Sequence, residues 1–165
     1  MDTAYVIFDG ENDKWAYAYI NGWKANKNID FDYQNAHDLD TMTGRAQDEQ
    51  YVKSKLRERM KNSTAVIVLV GEKTKNLYKY VRWELELALD LGLPIIAANL
   101  NKTNGQDKDL CPAIIRDKAC VVHIPYKLDA LKHAMSNFPR FYRRLSLAEK
   151  QAKSAYSYRM YDQTS

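Results

Sequence analysis

The sequence predicts a single α/β domain in which helices cover both faces of a parallel sheet. Short apolar runs alternate along the chain with amphipathic segments, and strands that alternate with helices favour a parallel sheet. Two of the runs are apolar almost throughout, which is typical of strands buried on both faces. The length of 165 residues and the hydrophobic content of 45% suit one compact core better than two.

Five strands are predicted from the apolar runs. AYVIF is the first, and IDFDY, the second, alternates apolar and polar residues as an edge strand does. TAVIVLV and LPIIAANL are the central pair, and ACVVHI is the fifth. We therefore expect a flavodoxin-like order, 2-1-3-4-5. These strands cover residues 4–8, 29–33, 64–70, 93–100 and 119–124. The side chains expected to be buried are Val6, Phe8, Val66, Val68, Ile95 and Val121.

Helical patterns fill the gaps between these strands. Asn12 or Asp13 opens the first helix, because both residue types are favoured at a helix N-terminus. The predicted helices cover about residues 13–27, 48–61, 81–91 and 128–136.

In open parallel sheets ligands bind at the carboxyl ends of the strands. A site is therefore expected in the segments that follow Phe8, Tyr33, Val70 and Leu100.

The C-terminal segment, residues 138–165, is basic and rich in tyrosine. We expect it to form a helical appendage that packs on a domain of residues 1–137 through its tyrosines. The helix of this appendage is expected to begin at about Ser146. The appendage therefore adds a C-terminal helix to the predicted fold.

Composition limits the classes of function. The net charge of +4 is mild and does not by itself indicate a nucleic-acid partner, and none is expected. The two cysteines lack a C-x-x-C spacing and the three histidines are scattered, so neither a disulfide nor a metal site is predicted. No apolar run approaches the roughly 20 residues of a membrane span, and no signal peptide is evident. A soluble, cytoplasmic protein without a membrane partner is expected.

Glu84 stands out because it lies on the apolar side of the third predicted helix. At about 100° per residue, Val81 and Ala88 share one face of this helix, and Glu84 projects from within that face. A carboxylate in this position either pairs with a cation such as Arg82, Lys79 or one in an N-terminal loop, or stabilises the start of the helix, or belongs to a functional site.

Three blocks of sequence carry a family resemblance. They read VIFDGEND (6–13), KSKLRERMKNSTAVIVLVGEKT (53–74) and YVRWELELALDLGLPII (80–96). In this order they resemble the TIR-like family that includes the Thoeris antiphage signalling proteins, over roughly residues 4–100. The third block is the most specific, because an aromatic-Val-Arg-aromatic-Glu string precedes a Leu-Gly-Leu-Pro-Ile-Ile strand entry. The resemblance implies a flavodoxin-like fold with five parallel strands.

The resemblance implies that Glu84 is a catalytic carboxylate. In enzymatic members a glutamate at this place acts in cleaving the nicotinamide–ribose bond of NAD, which is a substrate and not a cofactor. Cleavage develops positive charge at the ribose carbon, which a desolvated carboxylate stabilises. The product would be an ADP-ribose-derived signal, cyclic or conjugated, that diffuses to a downstream effector in bacterial antiphage defence. TIR-like relatives commonly assemble, so a homo-oligomer is also expected.

The resemblance also places Phe8 and Asp9 in a substrate-binding loop after the first strand. There the ring would stack on a base or on nicotinamide, and the carboxylate would bind a hydroxyl group. A core phenylalanine followed by a turn-forming Asp-Gly pair explains the same residues. Gly10 occupies a position where a tyrosine is common in the family.

The start of the second predicted helix departs from the family pattern. Enzymatic Thoeris relatives carry a serine near this point, but residues 41–50 contain none. Thr43 and Asp48 are the candidates for its substrate-binding role, and Asp48 also suits a helix N-terminus.

Two functions therefore stay open. The first is an enzyme, an NAD glycohydrolase or ADP-ribosyl cyclase. The second is a non-catalytic module for interaction or nucleotide sensing. An open crevice shared by Glu84 and Phe8 would favour the enzyme.

Overall fold

The computed structural model describes residues 2–35, 49–77, 80–152 and 155–157. The strands are β1 (Thr3–Ile7), β2 (Asp32–Gln34), β3 (Ala65–Val70), β4 (Ile95–Asn99), β5 (Val121–Pro125) and β6 (Ala155–Ser157). The helices are α1 (Lys14–Ala25), α2 (Glu49–Met60), α3 (Tyr80–Asp90), α4 (Leu128–Arg144) and α5 (Leu147–Gln151). A short 3-10 turn, Thr74–Asn76, lies between β3 and α3.

The sheet is parallel and has the order β2-β1-β3-β4-β5-β6. The predicted order 2-1-3-4-5 and the flavodoxin-like fold are therefore confirmed for the first five strands. The predicted strand count is corrected from five to six, because β6 pairs with the outer edge of β5. All the side chains predicted to be buried are buried: Val6, Phe8, Val66, Val68, Ile95 and Val121.

Two layers of core flank the sheet because successive side chains of a strand point to opposite faces. Val6 and its neighbours pack under α1 and α4, whereas Ile7 and its neighbours pack under α2 and α3. Every side chain of β3 is buried, which explains its continuously apolar sequence. By contrast, β2 is a short edge strand whose side chains are exposed or half-buried.

Helix α4 is longer than the sequence predicts. Its predicted end was at Ser136, but it continues to Arg144 with Pro139 inside it. A proline in a helix interior removes one backbone donor and disfavours the helix. Burial of Phe138 and Pro139 compensates for this cost by adding apolar contacts to the core. The predicted boundary after residue 137 therefore lies inside a continuous helix.

The C-terminal segment folds as a short helix followed by a strand. Ser146 begins α5 with a capping box, in which the Glu149 backbone N–H donates to Ser146 Oγ at 3.1 Å and the Ser146 N–H donates to Glu149 Oε1 at 3.0 Å. The predicted helix start is thus confirmed. Tyr156 in β6 then packs edge-on against Phe141, with ring centroids 5.2 Å apart. Aromatic contacts therefore hold this segment on the domain.

None of the helices in the described ranges combines the length and the apolar character needed to cross a membrane.

Cys111 and Cys120 are both free and buried. Burial raises the pKa of the Cys111 thiol to about 12 and that of Cys120 to about 11. Both thiols are therefore protonated at neutral pH and are weak nucleophiles.

Candidate functional site

A crevice of about 440 Å³ opens at the carboxyl edge of the sheet. The loops that follow β1, β3 and β4 meet there, since the carboxyl ends of parallel strands lie at the same edge. The sequence predicted a site in the segments after Phe8, Val70 and Leu100, and the crevice lies among them. Its lining residues are Asn12, Asp13, Trp15, Val70, Gly71, Glu72, Lys73, Leu100, Asn101 and Leu110.

Asp9 shapes the loop that follows β1. Its Oδ1 accepts the backbone N–H groups of Glu11 and Asn12 at 2.9 and 3.1 Å, and its Oδ2 accepts the Asn12 amide at 2.7 Å. Burial alone would raise the pKa of Asp9, but these hydrogen bonds outweigh it and lower the pKa below its usual value. Asp9 is therefore an ionised, turn-forming residue, and its contact with a substrate stays a prediction.

Asp13 lies beside this turn and faces the end of β3. It occupies the N-cap position of α1, yet its side chain accepts no capping hydrogen bond. Instead the carboxyl group lies against Gly71 and near the Thr74 hydroxyl, which donates to the Leu69 carbonyl at 3.3 Å. Burial, and then the neighbouring charge of Asp9, raises the pKa of Asp13. Two carboxylates of the same loop thus have pKa values shifted in opposite directions.

Replacing Gly71 with alanine should destabilise the domain. A Cβ atom there would lie 2.8 Å from Asp13 Cγ, well inside van der Waals contact, so the Asp13 side chain would have to shift. Such overpacking typically costs about 1–3 kcal/mol. Thermal unfolding measures the effect, and the double variant with Asp13→Ala should recover part of the loss.

Gly22→Ala is the matched control. Gly22 lies in α1 with nothing within 4 Å of an added Cβ. Alanine is favoured over glycine in a helix by roughly 0.5–1 kcal/mol, so this variant should be slightly stabilised. A Gly71→Ala variant that melts at or above the wild-type temperature would contradict the close contact with Asp13.

Glu84 lies on the buried face of α3, together with Val81, Leu85 and Ala88, and is 6% exposed. The sequence-based placement of this carboxylate inside an apolar face is therefore confirmed. Its neighbour Arg82 donates to Glu86 at 2.9 Å on the more exposed side of the helix. The catalytic role of Glu84 stays a prediction.

Phe8 and Glu84 are not brought together in one described crevice. Phe8 is 4% exposed and stacks on Tyr17, with ring centroids 4.6 Å apart and nearly parallel planes. It packs under α1 and α4, whereas α3, which carries Glu84, covers the opposite face of the sheet. Phe8 is therefore packed in the core, and its contact with a substrate stays a prediction. Thr43 and Asp48, the other predicted substrate-binding residues, lie outside the described residues.

The crevice is built largely from residues that sequence patterns did not single out. Asp13 and Lys73 lie within the blocks that carry the family resemblance but were not assigned to a site, and Trp15 and Asn101 carried no motif. The rule that ligands bind at the carboxyl ends of parallel strands was the signal that located the region. Among the residues that the structure describes, no set of three or more His, Cys, Asp or Glu side chains is grouped to hold a metal ion.

The sheet order and the crevice at its carboxyl edge define an α/β domain of the flavodoxin-like class. The family model of the TIR-like domain of Thoeris protein ThsB matches residues 5–105, more than half of the 165 residues. The chain therefore belongs to the Thoeris ThsB family of TIR-like domains. Membership suggests a role in antiphage defence, within a system that has other components, and TIR-like domains are often NADases.

Proposed function

We propose that this domain cleaves NAD at the nicotinamide–ribose bond and releases an ADP-ribose-derived signal, cyclic or conjugated, for a downstream effector. The observation that carries the proposal is the burial of Glu84 on the apolar face of α3, in a chain that belongs to a TIR-like family. Burying a carboxylate costs desolvation energy even when the group has a partner, so a functional reason for keeping it is favoured.

The chemistry assigned to Glu84 is electrostatic. When the bond breaks, nicotinamide leaves with the bonding electron pair, and positive charge develops on the ribose carbon. The Glu84 carboxylate stabilises that charge, and burial strengthens the interaction because little water screens it. Attack by water then gives ADP-ribose, whereas attack by a group within the same molecule gives a cyclic product.

Product analysis tests the proposal. NAD is incubated with the full chain in water enriched in ¹⁸O, with and without lysate from phage-infected cells, and the products are separated by mass spectrometry. Hydrolysis places one ¹⁸O atom in ADP-ribose, whereas cyclisation places none. Release of nicotinamide with either product supports the proposal. Intact NAD under every condition, with correctly folded protein, counts against it.

A second candidate is a non-catalytic module that senses a nucleotide or binds a partner. It is favoured by the lining of the described crevice, which includes neither Glu84 nor Phe8. The turn-forming bonds of Asp9 also suit a scaffold. Saturable binding of NAD or ADP-ribose without nicotinamide release would favour this candidate, and sedimentation during the same titration would report any self-association.

A further inference from the structure

The crevice at the carboxyl edge contains a buried carboxylate that the proposed chemistry does not use. Asp13 is 6% exposed and lines the crevice. Its Oδ2 atom has no hydrogen-bond partner among the described residues. A buried acceptor that lacks a donor is unfavourable. Oδ2 itself has almost no accessible surface, so a donor from a ligand reaches it only after the carboxyl group rotates toward the crevice. Asp13 also occupies the N-cap position of α1, but its side chain accepts no capping hydrogen bond.

Electrostatics favour a positively charged ligand at this place. Asp9 and Glu72 add negative potential at Asp13, and Asp9 has both oxygens already engaged by Glu11 and Asn12. The lining itself carries two carboxylates, Asp13 and Glu72, against the single ammonium group of Lys73. Glu72 and Lys73 are both exposed, whereas Asp13 is buried. The buried charge of the lining is therefore negative.

The walls provide contacts for the remainder of such a ligand. Trp15 lines the crevice and is 51% exposed, so its indole face is open to a cation or an alkyl chain. Val70, Leu100 and Leu110 add apolar surface on the side of β3 and β4. A volume of about 440 Å³ is large enough for a short charged chain.

The structure assigns this crevice as a binding site for an organic cation, an alkylammonium or alkylguanidinium. The charged head pairs with the Asp13 carboxylate, and the alkyl chain lies between Trp15 and the apolar wall. The cation is either a free amine or the side chain of a lysine or arginine on a partner protein, because both present the same group. The assignment does not depend on NAD cleavage by Glu84.

Binding is tested on the full chain with pairs of probes that differ only in charge. Backbone amide chemical shifts are followed at low salt during titration with n-butylguanidinium and with its uncharged analogue, n-butylurea. A second pair consists of the capped tripeptides Gly-Lys-Gly and Gly-norleucine-Gly. Saturable shifts near Asp13, Gly71 and Trp15 are expected for the cations, with the neutral analogues at least about tenfold weaker. Tighter binding of the lysine peptide than of n-butylammonium, which carries the same head group and chain, indicates a protein partner, and the reverse indicates a free amine.

Two variants and a control identify the site. Asp13→Asn keeps the shape but removes the charge, and should weaken cation binding at least about tenfold. It should also raise the melting temperature, because it removes a buried charge, so loss of binding would not reflect unfolding. Trp15→Ala should weaken binding about two- to fivefold through loss of the cation–π contact. Leu147→Ala, in α5 and 71% exposed, should leave it unchanged.

Three results would overturn the assignment. The first is the absence of saturable shifts with every cationic probe. The second is equal binding of butylguanidinium and butylurea, which would show that charge plays no part. The third is unchanged affinity in Asp13→Asn. None of these measurements involves NAD turnover, so failure here is distinguishable from failure of the proposed enzymatic function.

Discussion

Replacing Glu84 with glutamine is expected to lower NAD turnover at least about a hundredfold while the domain stays folded. Glutamine keeps the size and much of the hydrogen bonding of glutamate, but it cannot stabilise a cationic ribose. Glu84 lies on the buried face of α3, so little solvent screens its charge. Turnover is measured as nicotinamide release under conditions in which the wild-type chain is active.

Glu86→Gln is the matched control on the same helix. Glu86 is half-exposed and pairs with Arg82 at 2.9 Å, and exposed pairs of this kind contribute about 0–1 kcal/mol. This variant should keep both its turnover and its melting temperature. If Glu84 were instead half of a buried ion pair, Glu84→Gln would lose about 3 kcal/mol or more of stability and keep its activity per folded molecule. That outcome would reject the catalytic assignment.

Acidification is expected to destabilise the domain through His123. This residue lies in β5, is almost fully buried, and has neither ring nitrogen hydrogen-bonded within the described residues. Burial lowers the pKa of His123 from 6.5 to about 4, and the negative charge of Asp117 only partly opposes this. The folded state therefore holds a neutral imidazole that the unfolded state protonates more readily.

The sign of the effect follows from proton uptake on unfolding. Between pH 6.5 and about 4 the unfolded chain binds a proton at His123 that the folded chain does not bind, so the free energy of unfolding falls as the pH falls. The full effect is about 3 kcal/mol. The free energy of unfolding is measured by urea denaturation at a series of pH values. His123→Val should reduce its dependence on pH in this window. Val122→Ala, which changes no titratable group in the same strand, should lower the free energy of unfolding by the same amount at each pH. Equal slopes in wild type and His123→Val would contradict the prediction.

The sequence predicted the central sheet well because its strands are defined by local composition. The continuous apolar run of β3 signals burial on both faces, and the pattern around Val81 and Ala88 signals which side of α3 is buried. The place of Glu84 follows from this helical periodicity alone. Periodicity is a local property of the sequence, so it can be recognised without knowledge of the tertiary structure.

The parts that sequence could not predict depend on contacts between distant residues. Asp13 meets Gly71 only because β1 and β3 are neighbours in the sheet, and neither residue carries a motif that reports the contact. Strand β6 has three residues, too few for a periodic signal, and is defined by pairing with β5. The predicted helix ended at about Ser136, but tertiary packing of Phe138 extends α4 through Pro139 to Arg144.

Strand β6 also determines how the sheet meets other molecules. Ala155, Tyr156 and Ser157 pair with Val121, Val122 and His123, and so occupy hydrogen-bonding groups of β5 that would otherwise face solvent. An uncovered strand edge is a template on which strands of other chains add, which leads to aggregation or fibrils. Because β6 has three residues and β5 has five, the edge that β6 presents is a shorter template than an uncovered β5 would be, and loss of β6 should therefore favour self-association.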